Sequence, residues 1–215
     1  MSSYVTDPLF LPFEPEEIQQ LCGYGVAKHF PNKTLLINEG DSSDNFYIIL
    51  EGRVRVYVSN ENGKDVTLCI QKAGEFFGEV AILDGLPRSA SVMTLEPSLF
   101  CIISSAGFKR CLQEHPQLPH KLLVSALSRV RDLTENVKNL ALLDVYGRVA
   151  AVLNRIAIAK EGERAVERLT HQGIASMVGA SREMVSKIIG GLIEGGYIKN
   201  EKGFIVLKKK LPNSW

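Results

Sequence analysis

The sequence has few cysteines, and they do not cluster. They lie far apart, and no C-x-x-C pair occurs among them. The four histidines are equally scattered. Metal and iron–sulfur sites need ligands at close spacing, so the sequence predicts no metal site and reduced, mostly buried thiols. The cysteines are Cys22, Cys69, Cys101 and Cys111.

The chain also lacks a strong net charge, a long apolar run and a leader-like start. Its 25 lysines and arginines are offset by 24 aspartates and glutamates, so a nucleic-acid partner would need locally clustered charge. No apolar run reaches the length of a membrane span. The start, MSSYVTDPLFLPFEPEE, has no basic region followed by an apolar run. We therefore expect a cytoplasmic protein with no membrane partner, of one large or two small domains.

Residues 30–104 have the pattern of short β-strands separated by polar turns. The segments are rich in β-branched and aromatic residues, and within 45–58 the letters EGR can reverse the chain. This pattern predicts a sandwich or a barrel-like roll. Before it, EPEEIQQLC predicts a short helix with Pro15 in its first turn. The strand segments are TLLI (34–37), NFYIILEGRVRVYV (45–58), DVTLCI (65–70), SASVMTL (89–95) and LFCII (99–103).

Residues 117–143 change to a helical period. Their apolar residues are spaced alternately three and four apart, with charged residues on the other faces. Such a seam is narrower than the face of a helix lying on a sheet. A helix packed on its own roll is one interpretation, and a parallel dimer helix is the one that the strict seam favours. The seam residues are Leu123, Ala126, Val130, Leu133, Val137 and Leu140.

Residues 144–215 form a further unit. VYGRVAAVLNRIAIA is predicted to be helical and EGERAVER to be a polar connection. The remainder predicts a helix from Thr170 to Val178, a turn at Gly179, a second helix capped by Ser181, and a hairpin. Helix, turn and helix of this kind form a DNA-reading pair. The alternative is a helical hairpin whose charges are merely solvated.

The second helix of this pair presents side chains that can read base edges. Arginine and lysine donate to guanine, and glutamate accepts from cytosine. The hairpin carries Lys199 and Lys202 beside a turn at Gly203, which suits a wing near the phosphates. The candidate DNA-binding residues are Thr170, His171, Gln172, Ser181, Arg182, Glu183, Ser186, Lys187 and Lys202.

The segment FFGEVAILDGLPRSASV (76–92) places a Gly-Glu pair ten residues ahead of an Arg-Ser pair. It reads either as a surface loop of a β protein or as an anion site. Together with NLALLDVYGRVA and VGASREMVSKII, it resembles the Crp/Fnr family of bacterial transcription regulators from about residue 15 to 210. The resemblance implies an α+β fold: an N-terminal β-roll (a cyclic-nucleotide-binding jelly roll) over 1–116, a dimerisation helix over 117–143, and a C-terminal winged helix-turn-helix over 144–215.

The resemblance also implies a cyclic-nucleotide site in the roll. A short helix beginning near Gly78, with Arg88 and Ser89, would hold the cyclic phosphate. Glu79 would accept from the ribose 2′-OH, and the opposite charges of Glu79 and Arg88 would order each other. The implied ligand-binding residues are Gly78, Glu79, Val80, Arg88, Ser89 and Thr134.

One departure from the family concerns the base. Two neighbouring hydroxyl side chains of the family's long helix contact adenine, and here these positions hold Leu133 and Thr134. Cyclic AMP remains the first expectation for the effector, with cyclic GMP or a cyclic dinucleotide as alternatives. No further cofactor is expected, because the cysteine cluster of iron–sulfur members is absent and no haem site is supported.

The function implied is that of a homodimeric, nucleotide-responsive transcription regulator. Its partners would be double-stranded DNA with palindromic TGTGA-like half-sites, and RNA polymerase. Lys187 stands where an arginine is expected and lacks the bidentate guanidinium fork. A family member with a vestigial or differently gated pocket is one rival. An enzyme acting on nucleotides is another, but no second catalytic group accompanies Glu79, so no enzyme is expected.

Overall fold

The described residues form two units joined within one long helix. A computed structural model describes residues 13–42, 44–160, 162–167, 169–201 and 203–211. The first unit extends to Val130 and the second begins at Arg131. None of the helices in these ranges has the length and apolar character that a membrane span needs.

The first unit is a β-roll built from two antiparallel sheets. Helix α1 (Pro15–Cys22) precedes it, with Pro15 in the first turn as predicted. One sheet has the strand order β1-β8-β3-β6 and the other β2-β7-β4-β5. The strands are β1 (Gly25–Phe30), β2 (Leu35–Ile37), β3 (Asn45–Glu51), β4 (Arg53–Ser59), β5 (Asp65–Lys72), β6 (Phe76–Phe77), β7 (Ser91–Thr94) and β8 (Ser98–Ser104).

The predicted strands are confirmed, and two further strands were not predicted. Gly52 reverses the chain between β3 and β4 with φ +91°, and a Cβ there would lie 2.2 Å from Ser98 Oγ. Only glycine meets both conditions. Strand β1 escaped prediction because its four central residues are all exposed, so no apolar alternation marks it. Strand β6 has only two residues.

Aromatic side chains fill the core of the roll. Phe46 stacks on Phe108 with ring centroids 4.3 Å apart, and Phe46 also contacts Phe76 at 5.4 Å. Each ring is fully buried, which accounts for much of the roll's stability because aromatic side chains bury large apolar areas. Two short helices flank this core: α2 (Glu79–Asp84) and α3 (Ser105–Glu114).

The long helix α4 (Gln117–Leu142) has a buried face and an exposed seam. Leu118, Leu122 and Ser125 are buried. The six predicted seam residues, by contrast, are all exposed, including Val130 at 57% and Val137 at 65%. The seam is therefore not consumed by packing within one chain.

The second unit packs three helices and a four-stranded sheet around its own core. Leu153, Ile174, Val185 and Leu192 are fully buried there. The sheet order is β11-β12-β10-β9. The elements are α5 (Val145–Ile156), β9 (Ile158–Lys160), β10 (Glu163–Glu167), α6 (His171–Val178), α7 (Arg182–Glu194), β11 (Ile198–Glu201) and β12 (Phe204–Leu207).

Two predictions for this unit were wrong. The helix expected over 145–159 ends at Ile156, and Ile158 and Ala159 belong to β9. The segment expected to be a polar connection contains β10, which pairs with β12. Ala165 and Val166 are buried by that pairing, so tertiary packing overrode a locally polar sequence.

Candidate functional site

The first candidate site is organised by Gly78, which immediately precedes α2. Gly78 has φ +86°, a left-handed conformation that favours glycine. A Cβ at this position would lie 2.8 Å from Arg88 Nη1 and 2.8 Å from the carbonyl oxygen of Asn45. The sequence therefore needs glycine here for two reasons, the backbone turn and the close approach of an arginine.

Arg88 lies inside the roll, with only 4% of its surface exposed. Its Nη1 donates to the carbonyl of Gly78 and its Nη2 to that of Asn45, each at 2.7 Å. Its backbone is fixed as well, since Gly40 N–H donates to the Arg88 carbonyl at 2.8 Å. Burial lowers the pKa of the Arg88 guanidinium below its ordinary value. Water competes weakly at such a site, so an anion that reached the guanidinium would be bound strongly.

Glu79 forms an ion pair with Arg129 of α4, a partner that the sequence did not predict, and the charge of Glu79 also acts on the Arg88 guanidinium. Arg129 Nη1 lies 2.5 Å from Glu79 Oε1, and Nη2 donates to the carbonyl of Phe76 at 2.8 Å. The guanidinium also lies over the Phe76 ring, 4.7 Å from its centroid. Arg88 is instead turned toward backbone carbonyls, and α4 brings Arg129 to the carboxylate.

Arg129 is a site residue that the sequence interpretation missed, because it was taken for one of the charges that flank the seam. Its position carried a signal, because Leu122, Ser125 and Arg129 lie at i, i+3 and i+7 and so share one face of α4. That face is the one turned to the roll. Nearby, burial raises the pKa of Glu75 above its ordinary value.

The structure brings together three of the six predicted ligand residues: Gly78, Glu79 and Arg88. Val80 is 43% exposed on α2, and Ser89 is exposed beside Arg88 in the chain. Thr134 is exposed on the part of α4 that belongs to the second unit. A ligand role for all six residues stays a prediction.

The helix-turn-helix geometry of the second unit matches its prediction. Thr170 caps α6 by accepting from Gly173 N–H at 3.0 Å. Gly179 ends that helix with φ +65°. Ser181 then caps α7 by accepting from Met184 N–H at 3.2 Å. Two caps and a left-handed glycine thus fix the angle at which the two helices meet.

The side chains of α7 divide into exposed and tethered groups. Arg182, Glu183 and Lys187 are exposed at its N-terminal half. Ser186 is half-buried, and its Oγ lies 2.7 Å from His171 Nδ1 of α6, so these two predicted DNA contacts hold each other. A cavity of about 590 Å³ lies beside them, lined by residues that include Thr170, His171, Gln172 and Arg182.

The wing is a hairpin of β11 and β12. Lys199 is exposed, and its Nζ lies 3.4 Å from Oε2 of Glu201. Lys202, the other predicted phosphate contact, lies outside the described residues. In the part of the chain that the structure describes, no three His, Cys, Asp or Glu side chains converge as metal ligands would.

The chain belongs to the Crp/Fnr family of transcription regulators, whose members bind DNA and are not enzymes. Residues 27–115 match the cyclic nucleotide-binding domain and residues 147–210 the Crp-like helix-turn-helix domain. The protein is accordingly a CRP-like DNA-binding transcription regulator with a cyclic nucleotide-binding domain.

Individual relatives cover most of the chain. The cAMP-activated global transcriptional regulator CRP of Pasteurella multocida is 33% identical over 165 residues, which are 74% of this chain and 79% of that protein. The CRP-like cAMP-activated global transcriptional regulator of Mycobacterium tuberculosis is 30% identical over 90% of this chain and 88% of its own length. A structure of the c-di-GMP responsive global regulator CLP from Xanthomonas campestris superimposes with a TM-score of 0.79 at 22% identity, covering 91% of this chain and all of that one.

Proposed function

We propose that the protein is a homodimer whose DNA binding is controlled by cyclic AMP held in the β-roll. The observation that carries the proposal is the buried guanidinium of Arg88, 4% exposed and beside a glycine that leaves room for it. A buried positive charge is costly unless something offsets it. A cyclic phosphate carries the one negative charge that this position suits.

Glu79 supports a cyclic ribonucleotide in particular. Its Oε1 is held by Arg129, while Oε2 is buried and has no hydrogen-bond partner among the described residues. A carboxylate oxygen accepts and cannot donate. The 2′-OH of a cyclic ribonucleotide is a donor of the right kind. Cyclic AMP is our first choice because two relatives at 30% identity or more are named as cAMP-activated.

The exposed seam of α4 supports a dimer. Leu133 and Leu140 are 47% and 53% exposed and continue the stripe begun by Leu123. Seams of this spacing pair in parallel two-stranded coils. A two-fold dimer also presents two recognition helices to a palindromic site.

For the DNA partner we propose TGTGA-like half-sites read by Arg182, Glu183 and Lys187. All three are exposed on α7, as base-reading side chains must be. Gln172 and Thr170 would contact the backbone beside them. We further propose that the regulator acts in the cytoplasm, where DNA and RNA polymerase are found, and that RNA polymerase is its second macromolecular partner.

The ion pair of Glu79 and Arg129 supplies a path for control. A ligand that engages Glu79 changes the charge environment of Arg129, which is part of α4. Because α4 carries the dimer seam, a ligand that binds one dimer geometry more tightly shifts the population toward it.

Isothermal titration calorimetry tests the effector. Wild-type protein and Arg88→Ala are titrated with cyclic AMP, cyclic GMP and cyclic di-GMP. Arg110→Ala is the matched control, because that arginine is largely exposed on α3. We expect cyclic AMP to bind wild type and the control, and not Arg88→Ala. If the wild type binds cyclic GMP or cyclic di-GMP but not cyclic AMP, that nucleotide is the effector instead. If the wild type binds none of the three, the pocket is vestigial.

A further inference from the structure

Gln71 of β5 is a buried amide with one unused acceptor. Only 5% of the residue is exposed. Its Nε2 donates to the carbonyl of Phe76 at 2.9 Å. Its Oε1 is buried and has no hydrogen-bond partner within the described part of the chain. Buried polar atoms are nearly always paired in folded proteins, so an unpaired acceptor calls for an explanation.

The orientation of the amide is determined by its neighbour. A carbonyl oxygen accepts and never donates. At 2.9 Å from the Phe76 carbonyl, the Gln71 atom must therefore be the nitrogen, which directs the oxygen away from β6. One N–H of the amide nitrogen remains available beside it. Gln71 thus offers an acceptor and a donor side by side.

A shared carbonyl connects Gln71 to the candidate nucleotide site. The Phe76 oxygen that receives Gln71 Nε2 also receives Arg129 Nη2 at 2.8 Å. Arg129 in turn holds Glu79. Phe76 stands two residues before Gly78, whose carbonyl receives Arg88. Gln71 is thus linked, through the Phe76 carbonyl and the two residues that follow it, to the arginine proposed to bind the phosphate.

Two buried acceptors near this one carbonyl, Glu79 Oε2 and Gln71 Oε1, lack hydrogen-bond partners among the residues that the structure describes. A ligand that satisfied both would carry two donors. The ribose 2′-OH is the donor for Glu79. The donor for Gln71 must come from the base, since the base is the group attached to the ribose.

We propose that Gln71 selects adenine in the bound cyclic nucleotide. Its Oε1 accepts from the exocyclic N6–H, and its remaining Nε2 hydrogen donates to ring atom N7, the pairing by which glutamine side chains recognise adenine. This inference rests on the proposed cyclic AMP function. It adds a base contact from within the roll to whatever Thr134 contributes.

Measuring a protein variant and the wild type against cyclic AMP and a ligand analogue tests the contact. Gln71→Met removes the amide at similar volume, and purine riboside 3′,5′-cyclic monophosphate lacks the exocyclic amino group of cyclic AMP. Calorimetry gives the affinity of both proteins for both ligands. Gln113→Met is the control variant, because Gln113 is exposed on α3.

We expect wild type and Gln113→Met to bind cyclic AMP roughly tenfold more tightly than the purine analogue, the effect of one buried hydrogen bond. Gln71→Met is expected to bind the two ligands alike, within about twofold. Discrimination that survives in Gln71→Met would overturn the Gln71 contact and leave the proposed effector intact. A wild type that binds neither ligand, or prefers cyclic GMP, would overturn the effector and the adenine contact together. If Gln71→Met fails to fold, equal affinities of the wild type for the two ligands would still refute the contact.

Discussion

Arg129 Nη1 lies 2.5 Å from Glu79 Oε1, and through this pair the long helix α4 contacts the first residue of α2. The carboxylate is largely buried, whereas about a third of the arginine side chain is exposed. A ligand that binds Glu79 therefore acts on a residue already bound to α4. The pair thus connects the proposed nucleotide site to the helix that carries the proposed dimer seam.

Arg129→Met tests this pair. Methionine keeps the packing on Phe76 and removes the charge, so Glu79 is left buried without its cation. We expect a loss of about 1–3 kcal/mol in the free energy of unfolding, and weaker nucleotide binding, measured by urea denaturation and calorimetry.

Lys138→Met is the control for Arg129→Met. It breaks the exposed pair of Lys138 with Glu135, which is expected to contribute less than about 0.5 kcal/mol. Adding Glu79→Gln to Arg129→Met neutralises the buried carboxylate and is expected to recover part of the lost stability. Equal losses of unfolding free energy in Arg129→Met and Lys138→Met would show that the buried pair stabilises the fold no more than an exposed pair does.

Val130→Glu combined with Val137→Glu tests the dimer. Both valines are exposed seam residues, and four glutamates in a parallel pair would be brought together in a desolvated interface. We expect a dimer for wild type at micromolar concentration, and monomer or aggregate for the double variant, by light scattering after gel filtration.

The matched control for the seam uses the same helix. Arg131→Glu with Lys138→Glu alters two exposed residues that lie off the seam, and it is expected to stay dimeric. A wild-type protein that is monomeric with and without nucleotide would contradict the dimer.

Glu75→Gln tests a pH effect. Burial raises the pKa of Glu75 above its ordinary value of 4.5, so the folded protein binds this proton more tightly than the unfolded chain does. The resulting stabilisation is full below that ordinary value and is lost as pH rises through the folded pKa. We therefore expect the unfolding free energy of Glu75→Gln, relative to wild type, to increase from pH 4 to pH 7 in urea denaturation. A constant difference would argue against the raised pKa.

The sequence was sufficient to predict those parts of the fold that local chemistry determines. Gly179, Thr170 and Ser181 determine a helix, a turn and a helix through caps and one left-handed residue, and the structure has them there. The segment around Gly78 was interpreted from its resemblance to a known family, whereas the close approach of Arg88 to Gly78 is known only from the structure.

Contacts between residues far apart in the chain could not be predicted from the sequence. Arg129 is fifty positions from Glu79 in the chain, and nothing in the helical period names its partner. Gln71 lies just beyond the predicted strand segment 65–70, and only its burial in the structure makes it notable. Strand β10 reads as polar until its pairing with β12 buries Ala165.

Arg182→Ala tests the recognition helix. Arg182 is exposed in the first turn of α7, and a bidentate contact with guanine is worth about 1–3 kcal/mol of discrimination. We expect that loss on the preferred site, with relaxed preference at one base pair, when duplexes are selected from a random library in the presence of cyclic AMP. Lys187→Arg is expected to sharpen guanine preference, because the guanidinium contacts O6 and N7 together.

Lys199→Ala in the wing is the comparison for Arg182→Ala. A phosphate contact carries no sequence information, so this variant is expected to weaken all duplexes alike and to reduce the log–log salt slope by about one. Lys202→Ala, predicted from the sequence alone, is expected to behave in the same way. The contrast between changed preference and changed salt slope separates base reading from backbone binding. If Arg182→Ala selects the same sites as wild type, α7 does not read bases through Arg182, and the half-site proposed here must be read by other side chains.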